Sequence, residues 1–222
     1  MSEPDGTIAL GEHELSRAKE ASLLPTGPLS EWVIPGYVVG EKLGQGSFGE
    51  VWAAVRNRTG QKVAVKIFAR QAGLDWAYFR HEVDRLGQVA EHPHVVTLLD
   101  ADFAHDPPYY TMPLHRLSLG EWRRSHTPLL EQTVGWMEQL ASALDYTHRK
   151  GLLHCDLKPA NVLLDQEDQA RLCDFGQSRS RGALQSGLGS LGFMAPEQAA
   201  PGATPDVRWD LYGLGATVYF LL

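Results

Sequence analysis

The stretch YVVGEKLGQGSFGEVWAAVRNRTGQKVAVKIFA, Tyr37 to Ala69, alternates apolar and polar residues over most of its length. A period of two sends successive side chains to opposite faces, so the run reads as strand and not helix. Gly44, Gly46 and Gly49 interrupt it and Thr59-Gly60 marks a turn, which predicts three strands, a glycine loop closing the first and a hairpin joining the second and third. The period then changes. In DWAYFRHEVDRLGQVAE, Phe79, Val83 and Leu86 fall on one helical face, with Asp75 placed to cap the start. Two further strand-like runs follow, VVTLLDADF and PPYYTMPL.

Beyond these runs the pattern is helical. Within EQTVGWMEQLASALDYTHRKG, the residues Val134, Met137, Leu140, Ala141, Leu144 and His148 share a predicted face, and Lys150-Gly151 supply the stop. LLHCDLKPANVLL, a short strand pair, a Gly/Ser-rich loop from about Ser178 to Gly192 and a final helix from near Val207 complete the chain. Strands first and helices after make this an α+β arrangement. Residues 1–36, broken by Pro25, Pro28 and Pro35, read as a flexible leader or linker, although GEHELSRAKEASLL has the makings of a short helix. One domain is expected from 37 to 222.

The bulk properties narrow the function. With 222 residues, 43% hydrophobic and 21% charged, the chain can build a real core. A net charge of −7, with basic clusters no longer than Arg123-Arg124 and Arg179/Arg181, argues against a nucleic-acid partner. Cys155 and Cys173 form no CxxC pair and have no His at zinc spacing, so a reducing, cytoplasmic setting is expected. There is no secretory signal pattern. The longest apolar run, LYGLGATVYFLL (Leu211–Leu222), is shorter than the about 20 residues a bilayer requires. No membrane segment is expected within this chain. Because that run ends the chain inside an apolar helix, the sequence reads as cut from a longer domain, with room for a further domain beyond residue 222.

Four short patterns carry possible chemistry, and each has an ordinary reading beside it. GQGSFGEV fits G-x-G-x-x-G, which any tight turn can imitate. Here it leads into the alternating, β-branched EVWAAV and not into a helix, which favours a flap whose backbone N–H groups cover phosphates. Lys66 in VAVK is an exposed strand lysine unless a carboxylate holds it; Glu82 on the following helix is suitably placed, and Asp84 and Glu91 are its rivals. Asp174-Phe175-Gly176 is a common turn, or a carboxylate presented to a hard cation. LLHCDLKPANVLL sets Asp156, Lys158 and Asn161 close together between apolar stretches.

Taken in order, the glycine loop, VAVK, the helix glutamate, H-x-D-L-K-P-x-N, DFG and APE resemble the eukaryotic-type serine/threonine protein kinase family over roughly Tyr37 to Leu222. The resemblance implies a bilobal fold: an antiparallel sheet with one helix over about 37–114, then a mainly helical lobe from about 115 to 222 that is incomplete at its end. It implies ATP and Mg²⁺ as cofactors and protein serine or threonine hydroxyls as acceptors. Asp156 would be the catalytic base and Lys158 would neutralise charge on the moving phosphoryl group. Asn161 and Asp174 would hold the metal. Leu43, Gly44, Gly46, Gly49, Val51, Ala64, Lys66, Glu82, Met112 and Leu114 would form or support the nucleotide site, with Pro113 to His115 as the hinge to adenine. Ser190 would stand where the class carries a threonine that supports Asp156 and Lys158. A nucleotide-binding scaffold without transfer, an inactive fragment and a small-molecule kinase are the competing readings.

Two departures from the family pattern carry expectations. Cys155 replaces the arginine that ordinarily pairs with a loop phosphate, so activity is expected to depend little on phosphorylation of Ser178, Ser180 or Ser186, and Cys155 itself is expected to be a buried packing residue. Cys173, next to Asp174, is expected to be structural, with reach to an electrophilic ligand as the alternative. The early end implies a Glu197 buried without its usual arginine and an uncovered apolar face on the last helix, while Asp210 resembles the family's aspartate that braces the catalytic loop.

Overall fold

The computed structural model describes residues 32–46, 49–68, 76–180 and 190–222. The chain up to residue 31, where a short helix is expected, the Asp75 cap, Ser186 and most of the Gly/Ser-rich loop lie outside the described residues.

The alternating run folds as read. Strands β1 (Tyr37–Gly46), β2 (Gly49–Arg56) and β3 (Lys62–Phe68) are antiparallel neighbours. β4 (Asp100–Asp102) and β5 (Tyr109–Pro113) complete a sheet ordered β1-β2-β3-β5-β4. The turn before β3 uses Gly60 at φ 69°. β3 divides two clusters: Val63, Val65 and Ile67 join Tyr37, Val39 and Tyr109 on one face, whereas Ala64 and Phe68 turn to Tyr110, Met112 and the main core on the other. Of VVTLLDADF, only Asp100–Asp102 is strand. Val95 and Val96 instead pair their backbone with Leu172 in the second half of the chain, which takes them out of the sheet.

Helix α1 (Trp76–Val89) lays Phe79, Val83 and Leu86 onto the second face of the sheet, all three buried as their spacing predicts. The helical half contains α2 (Leu119–Ser125), α3 (Leu130–Arg149) and α4 (Val207–Leu221). Three short strands, β6 (Leu117–Ser118), β8 (Val162–Leu164) and β9 (Ala170–Leu172), lie against them, and β7 (Leu152–Leu153) pairs with β10 (Arg179–Ser180). The main core is continuous from Phe79 and Met112 through Phe175 and Leu172 to Leu140 and Leu144.

Two expectations are corrected here. The buried stripe of α3 is Thr133, Trp136, Leu140, Ala143, Leu144 and Thr147, while Val134 and Met137 are 44% and 43% exposed and Ala141 is exposed as well. Trp136 fixes the rotation. Its Nε1 donates to the Asp168 carbonyl at 2.8 Å and its ring meets Trp122 edge-on, and both contacts outweigh the smaller apolar residues on the other side. Glu197 is exposed rather than buried, so the penalty for an unpaired buried charge does not arise. The last helix does present Leu211, Tyr212, Tyr219 and Phe220 to solvent. Among the described residues no helix is long and apolar enough to cross a membrane.

Candidate active site

A cleft of about 920 Å³ opens between the sheet and the helical half. Cross-strand register builds its roof. Val51 opposes Lys66, Lys66 opposes Tyr110, and Ala64 opposes Met112, so these side chains share one face of the sheet. Leu43 and Gly44 close the roof from β1, and Met112 to His115 form its rear edge. Gly44 has nothing within 4 Å of where a Cβ would sit, so space remains beneath it. Gly49 meets a different demand: a Cβ there would lie 2.1 Å from the Ile67 carbonyl oxygen, and the glycine lets β2 and β3 approach each other. Gly49 therefore does not line the cleft.

Lys66 is the centre of a buried charge group. Its Nζ lies 2.5 Å from Glu82 Oε1 and 3.5 Å from Asp174 Oδ1. Of the three acidic candidates on α1 and just after it, Glu82 alone makes this pair, because it sits on the same buried face as Phe79 and Val83. Tyr110 donates its hydroxyl to Glu82 at 2.8 Å, a member of the group that the sequence reading did not name. Burial alone would lower the lysine, but Asp174 and Glu82 hold it well above its ordinary range. Burial raises the Glu82 carboxyl despite Lys66. Asp174 is lowered, chiefly by Lys66. It occupies a left-handed backbone conformation at φ 64°, which turns it toward the cleft as Phe175 is driven into the core against His154.

Asp156, Lys158, Asn161 and Ser190 form a second group. Lys158 Nζ donates to Asp156 Oδ2 at 2.8 Å and to Ser190 Oγ at 2.6 Å. The Ser190 N–H donates to Asp156 Oδ1 at 3.0 Å, and the Asn161 amide donates to the Asp156 carbonyl and to Oδ2 at 2.9 and 3.2 Å. The carboxylate is thus held on both oxygens and 8% exposed. Beneath it, Asp210 of α4 accepts from the backbone N–H groups of His154 and Cys155 at 2.9 and 2.7 Å and from His148 Nε2 at 2.7 Å. Gly213 lets α4 approach, since a Cβ there would lie 2.9 Å from the Leu157 carbonyl oxygen.

Cys155 packs with Leu153, Ala195 and Trp209, at φ 64°. Burial pushes its thiol up to about 12, so it carries no charge at neutral pH. Two arginines approach this neighbourhood from flanking elements: Arg85 of α1 and Arg179 both donate to the Ser178 carbonyl. Cys173 lines the cleft, and burial raises its thiol as well, which leaves it protonated and weakly nucleophilic.

Among the described residues there is no cluster of three His, Cys, Asp or Glu fit to hold a metal alone. Mg²⁺ does not require one, because it takes one or two protein oxygens together with phosphate oxygens and water. Asn161 and Asp174 both line the cleft, and with the Asn161 amide nitrogen committed to Asp156, its Oδ1 is the atom left for a cation. The residues therefore fit a magnesium–nucleotide ligand.

The protein kinase domain family matches residues 37–222. The serine/threonine-protein kinase PknK of Mycobacterium tuberculosis is 36% identical over 213 residues, covering 92% of this chain and 19% of that protein. A probable serine/threonine-protein kinase of Streptomyces coelicolor is 34% identical over 202 residues, covering 84% of this chain and 30% of its own length. CBL-interacting protein kinase 28 of rice is 29% identical over 196 residues, covering 84% and 45% respectively. The chain thus spans from about a fifth to less than half of the lengths of these curated relatives.

Proposed function

The chain belongs to the protein kinase domain family, and on that premise we propose that it transfers the γ-phosphoryl group of ATP to serine or threonine hydroxyls of protein substrates. The observation that carries this reading is the Asp156 carboxylate held between Lys158, Asn161 and the Ser190 N–H, with Lys158 and Asn161 themselves lining a cleft sized for a nucleotide. Asp156 orients the acceptor hydroxyl and takes its proton as the new O–P bond forms and the bond to the departing ADP oxygen breaks. Lys158, steadied by Ser190, neutralises charge on the moving phosphoryl group. Lys66, aimed by Glu82, meets the inner phosphates. Asn161 and Asp174 hold Mg²⁺, which supplies charge neutralisation at the phosphate oxygens. Leu43, Val51, Ala64, Met112 and Leu114 sandwich the base, and the hinge backbone from Pro113 to His115 reads its edge, with Pro113 able to offer only its carbonyl.

Preorganised charge does most of the work in such a site, because phosphoryl transfer asks little covalent chemistry of the protein. The pair of free cysteines supports a reducing, cytoplasmic setting. The test is phosphoamino-acid analysis of a protein mixture incubated with the chain, labelled ATP and Mg²⁺. Label on phosphoserine and phosphothreonine is expected; label confined to phosphotyrosine or to small molecules would refute the assignment.

A further inference from the structure

The outer part of the cleft, beyond Lys158, has a charge pattern that the phosphoryl-transfer reading leaves unused. Its lining includes Arg116, Glu121, Arg124, Phe193 and Phe220. Arg116 is occupied by Asp168 at 2.6 Å. Glu121 is the carboxylate nearest along the chain to Arg124, and it is committed to the start of α2: its Oε2 accepts from the Ser118 N–H at 2.8 Å and from the Ser118 hydroxyl at 2.7 Å. Lys158 is committed to Asp156. Arg124 remains. It is exposed, and among the described residues no ion pair or hydrogen bond engages it.

The position of Arg124 is fixed by its neighbours. Arg123 donates to the Leu221 carbonyl at 3.2 Å, tying α2 to the end of α4. Phe220 there meets Phe193 at 6.1 Å and 68°, and both rings line the same cleft. Leu191, two residues before Phe193, is 88% exposed. The outer cleft therefore offers an aromatic floor beside a guanidinium that no carboxylate pairs with among the described residues, while Glu121 Oε2 is turned to the start of α2.

Resting on the phosphoryl-transfer reading, we propose that the segment received here is an acidic peptide: an Asp or Glu within a few residues of the acceptor hydroxyl pairs with Arg124, and an apolar residue rests on Phe193 and Phe220. A basic peptide meets Arg124 as a like charge. Guanidinium and carboxylate match as a two-pronged pair, which gives orientation as well as attraction. Because the pair is solvent-facing, its contribution is modest and salt-sensitive, about two- to fivefold in kcat/KM for each acidic residue at low salt.

The test uses the full chain with a positional-scanning library of serine and threonine peptides, followed by matched peptides bearing Glu or Lys at the most selective position. Selection of Asp or Glu is expected, and Arg124→Glu should invert the Glu-over-Lys preference by about tenfold overall while leaving KM for ATP unchanged. Selection of Lys or Arg, an unchanged preference in Arg124→Glu, or an effect confined to KM for ATP would overturn the proposal. Fluorescence anisotropy of the same labelled peptides, read without turnover, keeps the two readings apart. If no peptide is phosphorylated yet the Glu peptide binds more tightly and Arg124→Glu inverts that order, the phosphoryl-transfer reading fails and the acidic site stands. If peptides are phosphorylated with no preference in either readout, the acidic site fails alone.

Discussion

At the scale of single residues, neighbouring groups set what each side chain can do. Lys66 in VAVK has no special sequence mark, but β-register places it against Tyr110 and beneath Glu82, and burial makes the pair obligatory. The sequence reading named Lys66, Glu82 and Asp174 and passed over Tyr110, because a tyrosine in an alternating strand is indistinguishable from core until its hydroxyl finds a partner. His115 escaped notice as a titrating group for a similar reason. Both of its ring nitrogens are enclosed without partners, and burial, aided by the Arg171 charge, lowers the ring to about 4. An unfolded histidine takes its proton near 6.5. Between these values the unfolded chain binds a proton that the folded chain refuses, so stability present above the unfolded value is lost as pH falls toward the folded one. Urea unfolding at pH 7 and pH 4 should show wild type losing roughly 2–3 kcal/mol more than His115→Phe. Equal losses in the two proteins would contradict this account of His115.

At the scale of elements, the glycine loop separates into two roles that G-x-G-x-x-G does not distinguish. Gly49 is demanded by the Ile67 carbonyl, Gly44 by nothing in the protein itself. Gly49→Ala is therefore expected to destabilise the fold by at least about 2 kcal/mol through overpacking, whereas Gly44→Ala should leave stability within about 0.5 kcal/mol and act, if at all, on KM for ATP. Thermal unfolding of both variants decides it, and a Gly49→Ala protein as stable as wild type would remove the close-approach argument. The strands around this loop were legible because strict alternation admits few alternatives. Helix α3 was legible as a helix but not in its rotation. Counting apolar residues favoured Val134 and Met137, while the fold buries Trp136 with its indole hydrogen bond and Thr147 with its hydroxyl on the Leu144 carbonyl. Local polar satisfaction decides such rotations, and hydropathy does not record it.

At the scale of the whole molecule, the two halves meet through a few polar links laid over one continuous core. Arg85 of α1 reaches the Ser178 carbonyl, four residues beyond Asp174, and so ties the helix that carries Glu82 to the segment that carries Asp174. Cys155 beside this link is neutral and offers a loop phosphate no cationic partner. Treatment with a phosphatase is accordingly expected to change activity by less than about threefold, and a loss of tenfold or more would refute phosphate-independent assembly. Order and spacing of short motifs made the site readable from sequence, down to Ser190 and Asp210. Outside that reading lay what only packing brings together, Arg85 with Ser178 and Arg124 with Phe220, since their separation along the chain hides them. The central claim is that Asp156 serves as base in ATP-dependent phosphorylation, and it is tested most directly by comparing wild type with Asp156→Asn in a labelled-ATP transfer assay alongside a measurement of ATP affinity. The account predicts a loss of about 10²–10⁴-fold in transfer with ATP affinity retained. Transfer by Asp156→Asn at the wild-type rate, or none by wild type despite bound ATP, would contradict it.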